Sequence, residues 1–173
     1  YLFNPAGKVV ATYDKIHMFD VDLGNGMSYE ESATYAPGNK AIVTPLPWGN
    51  LGLSICYDIR FAYLYRALAH AGAYILCAPS AFTKMTGQAH WHILQRARAI
   101  ETGCFIISPG LCGSHGQGKE SFGHSVIIDP WGEVLADGGQ DVGIIPARID
   151  MAKVTEASQK GTALTPYLSL IPL

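Results

Sequence analysis

A chain of 173 residues, 49% of them hydrophobic, is long enough to bury one sizeable core, and residues 1–173 are expected to form a single domain. Twelve Lys and Arg against fourteen Asp and Glu give a net charge of −2 without any run of like charge, which argues against nucleic acid or a charged membrane surface as a partner. No apolar stretch approaches the roughly 20 residues of a membrane helix, so a soluble, cytoplasmic protein with no membrane partner is expected.

In chain order, "YLF" and "KVVATYDKIHMF" around the turn "NPAG" predict a hairpin over residues 1–19, with a first arm too short to be a useful strand. That short arm, and a start on Tyr1 in place of methionine, lead to the expectation of a fragment whose beginning is missing. Residues 20–40, interrupted by Gly24, Gly26, Pro37 and Gly38, read as one long irregular loop, a length that usually serves function. A strand follows at 51–55, then a helix over about 61–71 with Leu64, Leu68 and Ala71 on one face, then a strand at 74–78. "AHWHILQRARAIETG" places Trp91, Leu94, Ala97 and Ile100 at helical spacing and stops at Gly103, and the strand "CFIIS" comes directly after. The glycine-rich "PGLCGSHGQG" reads as a mobile loop and, lacking a Lys-Ser/Thr ending, not as a phosphate cradle. Beyond it the pattern turns antiparallel: "GHSVIIDPWGEVLAD" is two strands about the turn Asp129-Pro130-Trp131-Gly132, and "VGIIPARI" is another strand. "DMAKVTEASQK" opens a helix with Asp150 as its N-cap. Together these make a layered α/β domain with its continuous apolar strands buried on both faces.

The strand in "GNLGLSICYDIRF" runs straight into Cys56, which is followed by Tyr57, Asp58 and Arg60. A thiol at the end of a strand and the start of a helix meets free backbone N–H groups that stabilise a thiolate and can receive an oxyanion. Cys77 and Cys104 sit inside apolar runs and read as inert buried thiols, and Cys112 as a loop residue near whatever site the strands build. The four cysteines show no C-x-x-C spacing and no paired histidines of zinc type, so no metal site is expected. Among the histidines, His90 and His92 face different sides of a helix, His70 closes one, and His115 and His124 lie in or near loops; none announces itself as a base. Lys15 and His17 are two apart on a predicted strand and should share a face, where a buried ammonium needs a carboxylate or an anion beside it. Asp58 and Arg60 are expected to cap and pair at the helix start, Trp91 and His92 to pack and hydrogen-bond within the fold, and His124 and Trp131 to be structural.

Four motifs in order and spacing, "YDKIHMFD", "EESATYAPG", "GLSICYDIRF" and "SAFTKMTGQAHWHILQRARAIETGCFIISP", resemble the nitrilase superfamily of carbon–nitrogen hydrolases over about residues 1–152. "CYDIRF" and "TGQAHW" look most like the amidase branch that contains omega-amidase and deaminated glutathione amidase. The resemblance implies an αββα sandwich, here incomplete with its N-terminal strands and helices missing, and a Glu–Lys–Cys triad with no metal or organic cofactor. It makes Cys56 the nucleophile, Lys15 the triad lysine, Glu31 a second glutamate supporting lysine and substrate, and the Tyr57 N–H an oxyanion donor. Arg60, Ser80, Phe82 and Thr86 become substrate-pocket candidates, because the loop after that strand faces the cysteine in such folds. The implied reaction is hydrolysis of a small carboxamide, an omega-monoamide of a carboxylic acid, to acid and ammonia through a thioester, in a homodimer or higher homo-oligomer. The family's general base precedes its lysine by a long interval, so it is expected before Tyr1 and residues 1–173 alone are expected to be inactive. The alternatives are a non-catalytic binding or assembly subunit, or an N-carbamoyl hydrolase or acyltransferase on the same fold. Two departures stand out: Ala62 and Tyr63 replace a common Pro-Glu, and the tail after Lys153 stops matching.

Overall fold

The computed structural model describes residues 1–24, 26–116 and 118–161. The apolar runs in the middle of the chain become the strands β6 (Gly49–Leu53), β7 (Ile75–Cys77) and β8 (Phe105–Ser108), which are parallel neighbours in one six-stranded sheet. β5 (Ile42–Leu46) flanks β6 antiparallel, and β11 (Val126–Ile128) and β12 (Val134–Asp137) extend the other side antiparallel. Three short hairpin strand pairs lie outside this sheet: β1 (Leu2–Phe3) with β2 (Val9–Ala11), β3 (Asp20–Asp22) with β4 (Ser28–Glu30), and β9 (Cys112–Ser114) with β10 (Glu120–Phe122).

Parallel strands need crossover helices, and these are α1 (Ala62–His70) and α2 (Lys84–Thr102). Strand alternation sorts the core into two. Leu76, Ala78, Ile106, Val126 and Ile128 meet Leu64, Tyr65 and Leu68 of α1 and Trp91 and Ala99 of α2. Leu51, Ile75 and Phe105 face the opposite side, against Ile149, Met151 and Val154, the last on α3 (Ala152–Gln159). Each Leu, Ile or Phe fully buried in this way stabilises the fold by roughly 1.5–3 kcal/mol. Asp150, expected as the N-cap of α3, lies one residue ahead of it: Met151 is the N-cap and makes no side-chain cap bond, while Asp150 Oδ1 accepts the Ala152 N–H at 3.0 Å in the turn that leads into the helix.

Several sequence expectations need correction. α2 begins five residues before the predicted start, because Thr83 Oγ1 accepts the Thr86 N–H at 3.2 Å and caps a turn, "TKMTG", that has no apolar period to betray it. β2 stops at Ala11, so Lys15 and His17 lie on irregular backbone and not on a strand. The loop expected over 20–40 contains the β3–β4 hairpin and a 3-10 turn at Glu31–Ala33, and the glycine-rich stretch at 109–118 contributes β9 of the second hairpin. "VGIIPARI" forms no strand: among the described residues nothing pairs with it, Val142 and Ile144 are 93% and 95% exposed, and Pro146 has no N–H to offer a ladder.

One glycine of α2 sets the distance between helix and hairpin. A Cβ at Gly87 would lie 2.2 Å from Cγ of Phe122 on β10, a ring that is itself buried. Gly87→Ala is expected to destabilise the protein by about 1–3 kcal/mol through overpacking, although alanine is the better helix former, and a urea titration will read this directly. An unchanged or raised midpoint would contradict it.

Candidate active site

β6, β7 and β8 all end on the same side of the sheet, and the segments that follow them meet there. Cys56 opens a 3-10 turn, Cys56–Arg60, three residues after β6, with its backbone in the left-handed region at φ 49. That conformation costs a non-glycine residue roughly 1–2 kcal/mol, so the surroundings must impose it. They do so with hydrogen bonds from Ser54 N–H to the Cys77 carbonyl (3.0 Å) and from Cys56 N–H to the Pro79 carbonyl (2.9 Å). The loop after β7 is tied in turn to the loop after β8, Ser80 N–H donating to the Pro109 carbonyl and Leu111 N–H to the Ser80 carbonyl.

Lys15 approaches from the other end of the chain. Its side chain is only 9% exposed and pairs with Oε2 of Glu31, which also accepts the Phe19 N–H at 2.7 Å. The buried ammonium thus has the carboxylate that its burial demands. The irregular segment carrying Lys15 is pinned where Gly38 N–H donates to the Lys15 carbonyl at 2.7 Å; a Cβ at Gly38 would lie 2.1 Å from the Asp14 carbonyl oxygen, so this crossing admits only glycine.

Asp58 fastens these two segments together. It is fully buried and accepts four hydrogen bonds: from Tyr13 hydroxyl (2.7 Å) and Ile55 N–H (2.9 Å) on Oδ2, and from His17 N–H (3.1 Å) and His17 Nδ1 (2.7 Å) on Oδ1. The other ring nitrogen of His17, Nε2, lies in hydrogen-bond reach of the Tyr63 hydroxyl at 2.8 Å. Tyr63, one of the two departures from the family pattern, therefore completes this chain. Burial, reinforced by the Asp58 carboxylate, holds the Tyr13 phenol protonated far above its ordinary range. The expected Asp58–Arg60 pair does not form. Asp58 is spent on the lysine segment, while the Arg60 guanidinium lies 5.8 Å from the Tyr57 ring centroid and 5.6 Å from that of Phe82, with His90 Nδ1 at 3.3 Å. The shared face predicted for Lys15 and His17 also fails: His17 stacks on Phe61 at 3.6 Å and points at Asp58.

The result is a cleft of about 780 Å³ that brings together Cys56, Lys15, Glu31, Tyr57, Arg60, Ser80, Phe82 and Thr86, every site residue expected from the sequence. The Tyr57 N–H, in the first turn after Cys56, has no acceptor among the described residues. Burial pushes the Cys56 thiol above its ordinary value, against the Ala81 amide, the Lys15 ammonium and the Ser80 hydroxyl, while the Glu31 carboxylate adds to the rise. That direction favours the thiol over the thiolate, so the sulfur calls for a proton acceptor before it attacks. Among the described residues the cleft's carboxylates are Glu30, Glu31 and Glu120, all later in the chain than Lys15. Ser80 Oγ donates to the Ala78 carbonyl at 2.8 Å, and Thr86 is engaged with Thr83, so both shape the wall.

Sequence reasoning missed the far wall. Phe19 and Tyr29 on the first hairpin side, and His115, Lys119, Glu120 and Ser121 at the β9–β10 hairpin, all line the cleft. Gly116 and Gly118, both at positive φ, were the turn signal that could have revealed the second hairpin. Cys77 and Cys104 remain apart from the cleft, and burial raises both thiols to about 11. Trp91 packs as expected, its indole N–H donating to the His124 carbonyl at 2.7 Å.

The chain is similar in sequence and fold to several known proteins. The chain is 44% identical over 165 residues to the deaminated glutathione amidase of Synechocystis sp., covering 94% of this chain and 61% of that one. It superposes on the C. elegans NitFhit protein with a TM-score of 0.87 at 38% identity, over 98% of this chain and 40% of that one. It also matches, with a TM-score of 0.75 at 29% identity over 89% of this chain and 55% of that one, a mutant of the amidase from Nesterenkonia sp. AN1. That mutant shows covalent addition of the acetamide moiety of fluoroacetamide at the active-site cysteine. The chain spans between 40% and 61% of the length of these proteins. The carbon–nitrogen hydrolase family model matches residues 1–159, which include the whole described cleft, and the fold of the sheet is that of the nitrilase relatives: this chain belongs to the carbon–nitrogen hydrolase family.

Proposed function

We propose that the protein hydrolyses a small carboxamide that also bears a carboxylate, through a thioester on Cys56. The observation that carries the reading is Cys56 itself, held in left-handed backbone and lining a cleft that it shares with the Lys15–Glu31 pair. In the reaction the thiol gives its proton to a carboxylate base and the sulfur attacks the amide carbon. The oxyanion is met by the unpaired Tyr57 N–H and by the Lys15 ammonium. Collapse breaks the C–N bond, the nitrogen takes the proton and leaves as ammonia, and water then cleaves the thioester to the acid. Glu31, already bound to Lys15 and to the Phe19 N–H, positions the lysine; the family pattern gives the base role to a glutamate earlier than Lys15. The Nesterenkonia adduct at an active-site cysteine supports the nucleophile assignment.

Arg60 supports the carboxylate on the substrate. It lines the cleft and, among the described residues, forms no ion pair with any acidic side chain. Arg60→Leu is expected to raise KM for an omega-monoamide by about 10- to 100-fold, the worth of a charge-assisted hydrogen bond, while a neutral amide of equal size is affected far less. Equal changes for both substrates would remove Arg60 from recognition.

The test of the function is to incubate the protein, purified from its natural source so that any residues outside 1–173 are included, with a panel of omega-monoamides, matching nitriles and N-carbamoyl compounds, following ammonia release and intact mass. Ammonia from the amide faster than from its nitrile, with an acyl adduct on Cys56, is the expected result. Turnover that survives Cys56→Ser would overturn the mechanism, and a faster nitrile would overturn the amidase assignment.

A further inference from the structure

Away from the cleft, three side chains with metal-ligating atoms converge on one point. Nε2 of His92 on α2, Nδ1 of His124 just after β10, and a carboxylate oxygen of Asp137 at the end of β12 all lie within 4.8 Å of one another. None of the three lines the cleft. We propose that His92, His124 and Asp137 bind one divalent transition-metal ion of the zinc class, which clamps α2, the base of the β9–β10 hairpin and the edge of the sheet together.

The separations suit such an ion. His92 Nε2 is 2.7 Å from Asp137 Oδ2, and His124 Nδ1 is 2.9 Å from Asp137 Oδ1. Zinc bound about 2.0–2.1 Å from each donor in a tetrahedral arrangement spaces its ligand atoms by roughly 3.4 Å, so these two pairs would open by about 0.5–0.7 Å to admit it. The donor set of two imidazoles and one carboxylate favours zinc, cobalt or nickel over calcium or magnesium, which prefer all-oxygen shells. Solvent would fill the fourth position.

The ligands are also held in place by their neighbours, which a chance encounter of surface side chains does not require. The His124 ring is stacked on Phe122 with centroids 4.4 Å apart, and the His92 ring meets the same Phe122 edge-on at 6.0 Å. Asp137 Oδ1 accepts the Gly139 N–H at 2.8 Å, which orients the carboxylate. His124 is, with Cys56, one of two non-glycine residues at positive φ among the described residues; its φ is 55, and Trp91 holds its carbonyl. Strained backbone persists where the surroundings over-determine it, and ligand clamps are one such place. The sequence expectation of no metal site rested on spacing, and these ligands are spread over positions 92 to 137, so zinc-finger spacing could not show them.

The experiment is to strip the purified protein with a chelator and titrate it with ZnCl2 and, separately, CoCl2, reading stoichiometry by native mass and the cobalt spectrum in the visible. One equivalent is expected, with cobalt bands of nitrogen and oxygen ligation and no sulfur-to-cobalt charge transfer. Affinity should fall by at least about 10-fold in both His92→Gln and Asp137→Asn, each checked for folding by circular dichroism, and should be retained in Cys56→Ser. No stoichiometric binding, a sulfur charge-transfer band, or folded His92→Gln and Asp137→Asn proteins that bind as the parent does would each overturn the proposal. In that case Asp137 serves only as a hydrogen-bonded bridge between two imidazoles.

Discussion

Cys56→Ala is expected to lower amide turnover by at least about 10⁴-fold, with no acyl adduct by intact mass, because loss of a nucleophile removes the covalent path and leaves only binding and oxyanion stabilisation. The fold should survive, since the side chain is small and Asp58, Ser54 and the Cys56 N–H keep their partners. A stability comparison sharpens the test. At φ 49 alanine bears the same left-handed penalty that cysteine does, whereas glycine does not. Cys56→Gly is therefore expected to be more stable than Cys56→Ala by about 1 kcal/mol, reversing their usual order, and equally inactive. If the alanine variant proves the more stable in urea, the strain at the nucleophile is not real; if either variant retains turnover, Cys56 is not the nucleophile.

Asp58→Asn should be the most damaging single change outside the thiol. Four donors aim at its two oxygens from three places in the chain, and an amide can present only one of those oxygens, turning an N–H₂ towards the remaining donors. Breaking one member of a fully buried charged network costs about 3–5 kcal/mol, a large share of the roughly 5–15 kcal/mol that holds a domain folded. Tyr13→Phe, which removes a single donor to the same carboxylate, should cost only about 1–2 kcal/mol. Urea midpoints for both variants would decide it: an Asp58→Asn loss no larger than that of Tyr13→Phe would mean that Asp58 does not tie the lysine segment to the cysteine turn. Because that tie positions Lys15, the folded fraction of Asp58→Asn should also turn over amide more slowly.

What the sequence made legible, and what it hid, divides along physical lines. Strands buried on both faces announce themselves, so β7 and β8 were readable; the β11–β12 pair was marked by the turn Asp129-Pro130-Trp131-Gly132, and Cys56 was readable because an apolar run stopped there. Short hairpins such as β3–β4, with one half-buried residue in each three-residue strand, leave almost no periodic signal, and the far wall of the cleft went unseen with them. Lys15 was flagged by the cost of burying its charge, a local argument, and the partner Glu31 came from family resemblance. Asp58 does cap the Cys56–Arg60 turn, accepting the Ile55 N–H, but it was misread as the partner of Arg60, since nothing local in "CYDIRF" shows that Tyr13 and His17 will arrive from over forty positions away. The strand expected in "VGIIPARI" joins neither edge of the sheet among the described residues, which is information that only the tertiary structure holds.

The two walls of the cleft should differ in how firmly they are kept. One wall follows directly from β6, β7 and β8, the parallel middle of the sheet, whose amides should be among the slowest in the molecule to exchange with deuterium. The opposite wall rests on β3–β4 and β9–β10, two-stranded pairs with three residue pairs each, a size that is marginal without further packing. Exchange should therefore be fast on one side of the same cavity and slow on the other. Such an arrangement separates two kinds of change over evolutionary time: hairpins can lengthen, shorten or swap side chains to suit a new substrate while the nucleophile, anchored in the slow-exchanging wall, keeps its geometry.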